Sequence, residues 1–165
     1  MTPPPAAGLA AQAAAVLQAS QRRGWHIATA ESVTGGLLCA TLTDVPGSSS
    51  VVCAGVVAYT DAMKSALLGL DENSLAEHAV YSEWTAVAMA EAVRLRTGTE
   101  IGVATTGVAG PGPDQGVPPG TVHIAVATPD GCASAAEVFS GDREQVRTAA
   151  VQRALQMLMR ALAHE

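Results

Sequence analysis

The chain has 165 residues, 48% of them apolar but only 3% aromatic, enough for one domain whose core must be built from Ala, Val and Leu. A net charge of −6 and the lack of any Lys/Arg cluster argue against nucleic acid as a partner. No apolar run approaches the ~18 residues that span a bilayer, which argues against a membrane partner.

In chain order, residues 1–8 carry three prolines and no basic stretch, and read as a disordered leader, with cytoplasm as the expected compartment. Residues 9–165 read as a single domain. Leu9, Ala13, Val16, Leu17 and Ser20 share one helical face, so a helix is expected from Leu9 to Arg23, closed by Gly24. Trp25 to Ala30 is the first strand. A helix from Gly36 to Thr43 follows, stopped by Asp44-Val45-Pro46-Gly47. The continuous apolar run Val51 to Tyr59 predicts a strand buried on both faces.

Asp61 to Leu68 reads as helix, and Asp71 caps a short one reaching His78. Ser82 is an N-cap for a helix from Glu83 to Arg96, ended by Gly98. Glu100 to Thr106 is a strand. The loop from Gly107 to Gly120 is too rich in glycine and proline for regular structure. Thr121 to Thr128 and Ala133 to Phe139 form a hairpin around Pro129-Asp130-Gly131. Gly141 opens a long helix with Val146, Ala150, Ala154, Met157 and Ala161 on one face. Helices that alternate with strands before a closing hairpin predict an α/β fold, a three-layer α/β/α sandwich with a mixed, largely parallel sheet.

The cysteines, Cys39, Cys53 and Cys132, have no C-x-x-C spacing and read as buried reduced thiols. The histidines show no H-x-H or H-E-x-x-H spacing, so neither a metal nor a cofactor is expected.

Four segments could carry chemistry. Ser32 lies at a strand-to-helix turn, where it could be a helix cap, an anion ligand or a nucleophile. Thr34, Gly35 and Gly36 follow it, and the glycines would let backbone N–H groups approach a ligand or an oxyanion. The turn is neither a G-x-S-x-G elbow nor a Walker A loop. Lys64 is the only lysine in the chain. It follows a strand that ends in Tyr59, so it is either an exposed helix lysine or a desolvated base paired with the serine. The loop after Thr106 offers glycine N–H groups, Gly107 and Gly110 among them. Arg143 and Arg147 lie one turn apart, suited to phosphate or carboxylate, or to a surface pair with Glu144.

Taken together and in order, these segments resemble the C-terminal domain of the CinA family, the nicotinamide-nucleotide amidohydrolases (PncC). The pieces are Thr29-Ala30-Glu31-Ser32-Val33-Thr34-Gly35-Gly36, Thr43-Asp44-Val45-Pro46-Gly47-Ser48-Ser49, Gly55-Val56-Val57-Ala58-Tyr59 and Lys64-Ser65-Ala66-Leu67-Leu68-Gly69. His78 through Glu83, Thr106-Gly107-Val108-Ala109-Gly110-Pro111, Gly120-Thr121-Val122 and Phe139 through Arg147 complete the set. The resemblance covers roughly Leu9 to Leu162 and implies hydrolysis of the carboxamide of nicotinamide mononucleotide to nicotinic acid mononucleotide and ammonia, with no cofactor and a homodimeric partner.

In that reading Ser32 is the nucleophile and Lys64 the base, relayed or not through Tyr59, with Thr106 as a further catalytic residue. Thr34, Gly35, Gly36, Gly107, Gly110 and Arg143 are substrate contacts. Two departures stand out. Val33 replaces a cysteine found in many members, which leaves serine as the turn's nucleophile. Between Pro113 and Gly120, where members often carry an acidic and a lysine residue, this chain reads Asp114-Gln115-Gly116-Val117-Pro118-Pro119. A non-catalytic nucleotide-binding module, or a serine amidase for another small amide, is the alternative.

Overall fold

A computed structural model of the chain describes residues 8–163. Apart from Gly8, the expected leader lies outside them. The strands are β1 (Ile27–Glu31), β2 (Val52–Val57), β3 (Ile101–Gly107), β4 (Thr121–Thr128) and β5 (Gly131–Val138). The helices are α1 (Leu9–Arg23), α2 (Leu37–Thr43), α3 (Asp61–Leu68), α4 (Glu72–His78), α5 (Glu83–Thr97) and α6 (Arg143–Ala163).

One mixed sheet runs β2-β1-β3-β4-β5. β1 is parallel to both β2 and β3, whereas β4 is antiparallel to β3 and to β5. Only β4 therefore opposes the common strand direction. Among the described residues no helix is long and apolar enough to cross a membrane.

The core divides by sheet face, because alternate residues of a strand point to opposite sides. Ile27, Val103, Ile124 and Val126 face α1, α2 and α6 with Val16, Leu38, Leu42, Leu155 and Leu158. Ala28, Ala30, Ala104, Ala125 and Ala127 face Met89, Ala90 and Val93 of α5. The second face is lined by alanine, and β3 carries Gly102, so α5 settles close to the sheet. A Cβ at Gly102 would fall 2.0 Å from the Ala90 carbonyl oxygen.

Two expectations about burial are corrected. The run Val51 to Tyr59 does not form a strand buried on both faces. β2 is an edge strand, hydrogen-bonded only to β1, and its side chains alternate between half-buried and exposed. The thiols are free, but Cys53 and Cys132 are exposed and Cys39 is half-buried. The two exposed cysteines sit on β2 and β5, the strands with an open edge, where an apolar neighbourhood in sequence does not become a buried one in space.

Candidate active site

Glu31 ends β1 and pairs with Val57 of β2 on one side and Thr105 of β3 on the other. The chain leaves β1 for β2 on one side and later returns to β3 on the opposite side. The C-terminal end of β1 is thus a topological switch point, where α/β sheets open a crevice. Ser32 is the next residue, and its N–H continues the ladder to Thr105 O at 2.9 Å.

The turn after Ser32 is organised around a buried carboxylate. Glu31 is fully buried, and its side chain folds back over the start of α2. It accepts from the N–H groups of Gly36 (3.0 Å), Leu38 (2.9 Å) and Cys39 (2.8 Å), and from the hydroxyls of Thr34 (2.6 Å) and Thr29 (3.2 Å). Thr34 gives its only hydroxyl proton to Glu31, so Thr105 Oγ1, 2.7 Å away, donates to Thr34. Arg147 Nη2 donates to Thr34 O at 2.8 Å and ties α6 to the same turn.

This arrangement corrects the expectation that the amides of Gly35 and Gly36 serve an oxyanion. Gly36 N–H is bound to Glu31 and Gly35 N–H to Ser32 O. The start of α2 is therefore occupied by an internal anion. The two glycines instead supply the positive φ angles of the turn, +57° and +96°. Ser32 is not the cap of α2; Glu31 does that work.

Lys64 resolves the second open choice. Thr60 caps α3, its hydroxyl accepting from Met63 N–H, and Lys64 lies one turn in. The lysine is 1% exposed, and its Nζ donates to Ser32 Oγ at 3.2 Å. Burial pushes its pKa below the ordinary lysine value, partly opposed by Asp61, whose Oδ1 is 4.0 Å from Nζ. An amine that loses its proton readily and touches a hydroxyl is the arrangement a general base requires. No thiol competes at the turn. Burial raises the Cys39 pKa; the Thr29 hydroxyl beside it pulls the other way, and the Glu31 charge adds to the rise.

A cleft of about 700 Å³ opens in front of Ser32. Ser32 and Val33 line its floor, Tyr59, Asp61 and Tyr81 one wall, and Gly107 to Asp114 with Arg143 the other. Arg143 clasps the two walls, with Nη1 donating to Gly110 O at 2.8 Å and Nη2 to Tyr59 Oη at 2.7 Å. Neither Arg143 nor Arg147 pairs with Glu144. The Tyr81 hydroxyl donates to the Asp114 carboxylate, fastening the variant loop segment to the tip of the helical side. Burial first, and then Asp114, raise the Tyr81 pKa.

The structure brings Ser32, Tyr59, Gly107, Gly110 and Arg143 together around the cleft, with Lys64 buried behind Ser32 and outside the lining. Lys64 reaches Ser32 directly, with no hydrogen bond through Tyr59. Thr106 lies behind the cleft, fully buried, with its hydroxyl donated to Val80 O at 3.0 Å. Thr34, Gly35 and Gly36 also lie behind it and shape the turn. Glu31, Asp61, Tyr81 and Asp114 were given no role in the site from sequence. An acid three residues before the lysine could have pointed to Asp61; Tyr81 and Asp114 meet only in the fold.

The family described as the CinA C-terminal domain matches residues 9–162. A CinA-like protein of Frankia casuarinae is 48% identical over 142 residues, covering 86% of this chain and 33% of that protein. The chain thus spans about a third of the length of the curated relatives it matches. Among solved structures, the competence damage-inducible protein A (ComA) of Klebsiella pneumoniae superposes with a TM-score of 0.92 at 34% identity, covering 95% of this chain and 98% of that one. The competence/damage inducible protein CihA of Agrobacterium tumefaciens gives 0.89 at 34% identity, covering 94% and 96%.

Proposed function

The chain belongs to the CinA C-terminal domain family, and on that premise we propose that it is a serine amidohydrolase that deamidates nicotinamide mononucleotide to nicotinic acid mononucleotide and ammonia. The observation that carries the reading is the contact between the buried amine of Lys64 and Ser32 Oγ, 3.2 Å, at the floor of the cleft.

Ser32 Oγ adds to the carboxamide carbon as its proton passes to the neutral Lys64 amine. The resulting oxyanion is held by the N–H of Val33 and by the loop N–H groups of Ala109 and Gly110. These face no acceptor among the described residues. Each such donor is typically worth about 3–4 kcal/mol in the transition state. As the C–N bond breaks, the Lys64 ammonium returns the proton to the nitrogen, which leaves as ammonia. Water, deprotonated by Lys64, then cleaves the Ser32 ester and releases the carboxylate product. Arg143 keeps the glycine loop against Tyr59 and presents positive charge to the cleft, which suits a phosphate.

The test is ammonia release from nicotinamide mononucleotide by the purified protein. Wild type releases ammonia and Ser32→Ala does not; full turnover by Ser32→Ala would remove the serine from the mechanism. Binding without turnover by wild type would identify a non-catalytic nucleotide-binding module. Equal rates on the dephosphorylated riboside would identify an amidase indifferent to phosphate.

A further inference from the structure

Lys64 has to be neutral to accept the Ser32 proton, yet the fold sets a carboxylate beside it. Asp61 opens α3 one turn before Lys64, with Oδ1 4.0 Å from Nζ, and its side chain is 52% exposed on the cleft wall. Its charge favours the ammonium and so works against the burial that lowers the lysine pKa. A carboxylate with only that effect would impair the base.

The other charges lining the cleft have hydrogen-bond partners of their own. Asp114 accepts from Tyr81, and Arg143 donates to Gly110 O and Tyr59. Asp61 has no hydrogen-bond partner among the described residues. It is a negative charge left available to whatever sits at Ser32.

We infer that Asp61 is a specificity-determining residue, whose carboxylate selects carboxamides carried on a positively charged ring over neutral amides. This rests on the amidohydrolase reading of Ser32 and Lys64. A pyridinium carboxamide has its reacting carbon one bond from the ring. With that carbon at Ser32 Oγ, the delocalised ring charge lies beside Asp61 and Lys64.

Two effects then act together. Attraction to Asp61 holds the cation, and the cation cancels the pull of Asp61 on the Lys64 proton. The amine is thus freest of its proton when the cationic substrate is in place. A neutral amide leaves Asp61 acting on Lys64 alone. The remaining ionisable groups facing this space are Tyr59, Tyr81 and Asp114 on the walls and Arg143 clasped to Tyr59. A role for Asp61 limited to the α3 dipole would be indifferent to ligand charge.

The experiment is calorimetric binding to Ser32→Ala protein, which prevents turnover. The ligands are nicotinamide mononucleotide and its 1,4-dihydro form, which share carboxamide, ribose and phosphate but differ in ring charge. With Asp61 present, the cationic form binds about tenfold tighter. Asp61→Asn brings the two within about twofold, and Asp61→Glu keeps most of the preference. A preference unchanged by Asp61→Asn overturns the inference and leaves the amidohydrolase reading standing. Failure of both nucleotides to bind overturns that reading, and the inference with it.

Discussion

Glu31 and Lys64 are the two charged side chains that the described fold buries, and the fold treats them in opposite ways. Glu31 receives five hydrogen bonds, three from backbone N–H groups and two from threonine hydroxyls. Lys64 has one serine hydroxyl and a carboxylate at 4.0 Å. A buried carboxylate supplied with enough donors locks its surroundings. A buried amine supplied with few partners has its charged form disfavoured, as Lys64 does on burial. The first builds the turn that displays Ser32; in the proposed mechanism the second takes the Ser32 proton. Stability and chemistry are thus divided between two ionisable groups on either side of one serine.

The contrast can be broken first at the reactive member. Lys64→Met should lower ammonia release by about 10³-fold or more, measured as kcat at saturating nicotinamide mononucleotide. The structural member should respond differently. Glu31→Gln places an amide where donors converge, and should cost about 3 kcal/mol of stability in chemical denaturation.

Lys64→Met should move stability the other way, up by about 1 kcal/mol at neutral pH, because an uncompensated buried amine is replaced by an apolar chain of similar length. The pH dependence follows from the sign of the shift. Folded Lys64 titrates below the ordinary value of 10.5, so between the two the unfolded chain binds the extra proton and wild type is penalised. The advantage of Lys64→Met should be largest below the folded pKa and vanish as the pH rises above 10.5. An advantage that grew with pH would mean that Lys64 is buried charged. The smallest effect belongs to the outer link of the Glu31 network. Thr105→Val should cost about 1 kcal/mol, read from the same denaturation curves.

Much of the fold was legible because local signals suffice for it. Helical periodicity and the C-terminal glycines Gly24 and Gly98 bound α1 and α5, and both glycines are left-handed in the structure. The place of β2 was not legible, since its apolar run says nothing about which neighbours it will have. Its edge position follows from the turn to β3, a property of chain path.

The site divides in the same way. Ser32 stood out at its turn, and Lys64 because no other lysine exists, although their pairing joins residues 32 apart. The role of Glu31 was hidden because an acid ending a strand gives no sign that its side chain will curl back onto the following helix. Gly36 N–H is taken by Glu31 for that reason, and Gly35 N–H by Ser32 O, so neither is left for an oxyanion. Tyr81 and Asp114 belong to separate segments that only the closed loop brings together.

The most direct test of the central claim is a double-substitution cycle on ammonia release, comparing Ser32→Ala, Lys64→Met and the two combined. If the hydroxyl and the amine act as one unit, either single change removes nearly all the rate that both remove. Losses that multiply in the double variant would show Ser32 and Lys64 working independently and would contradict the account.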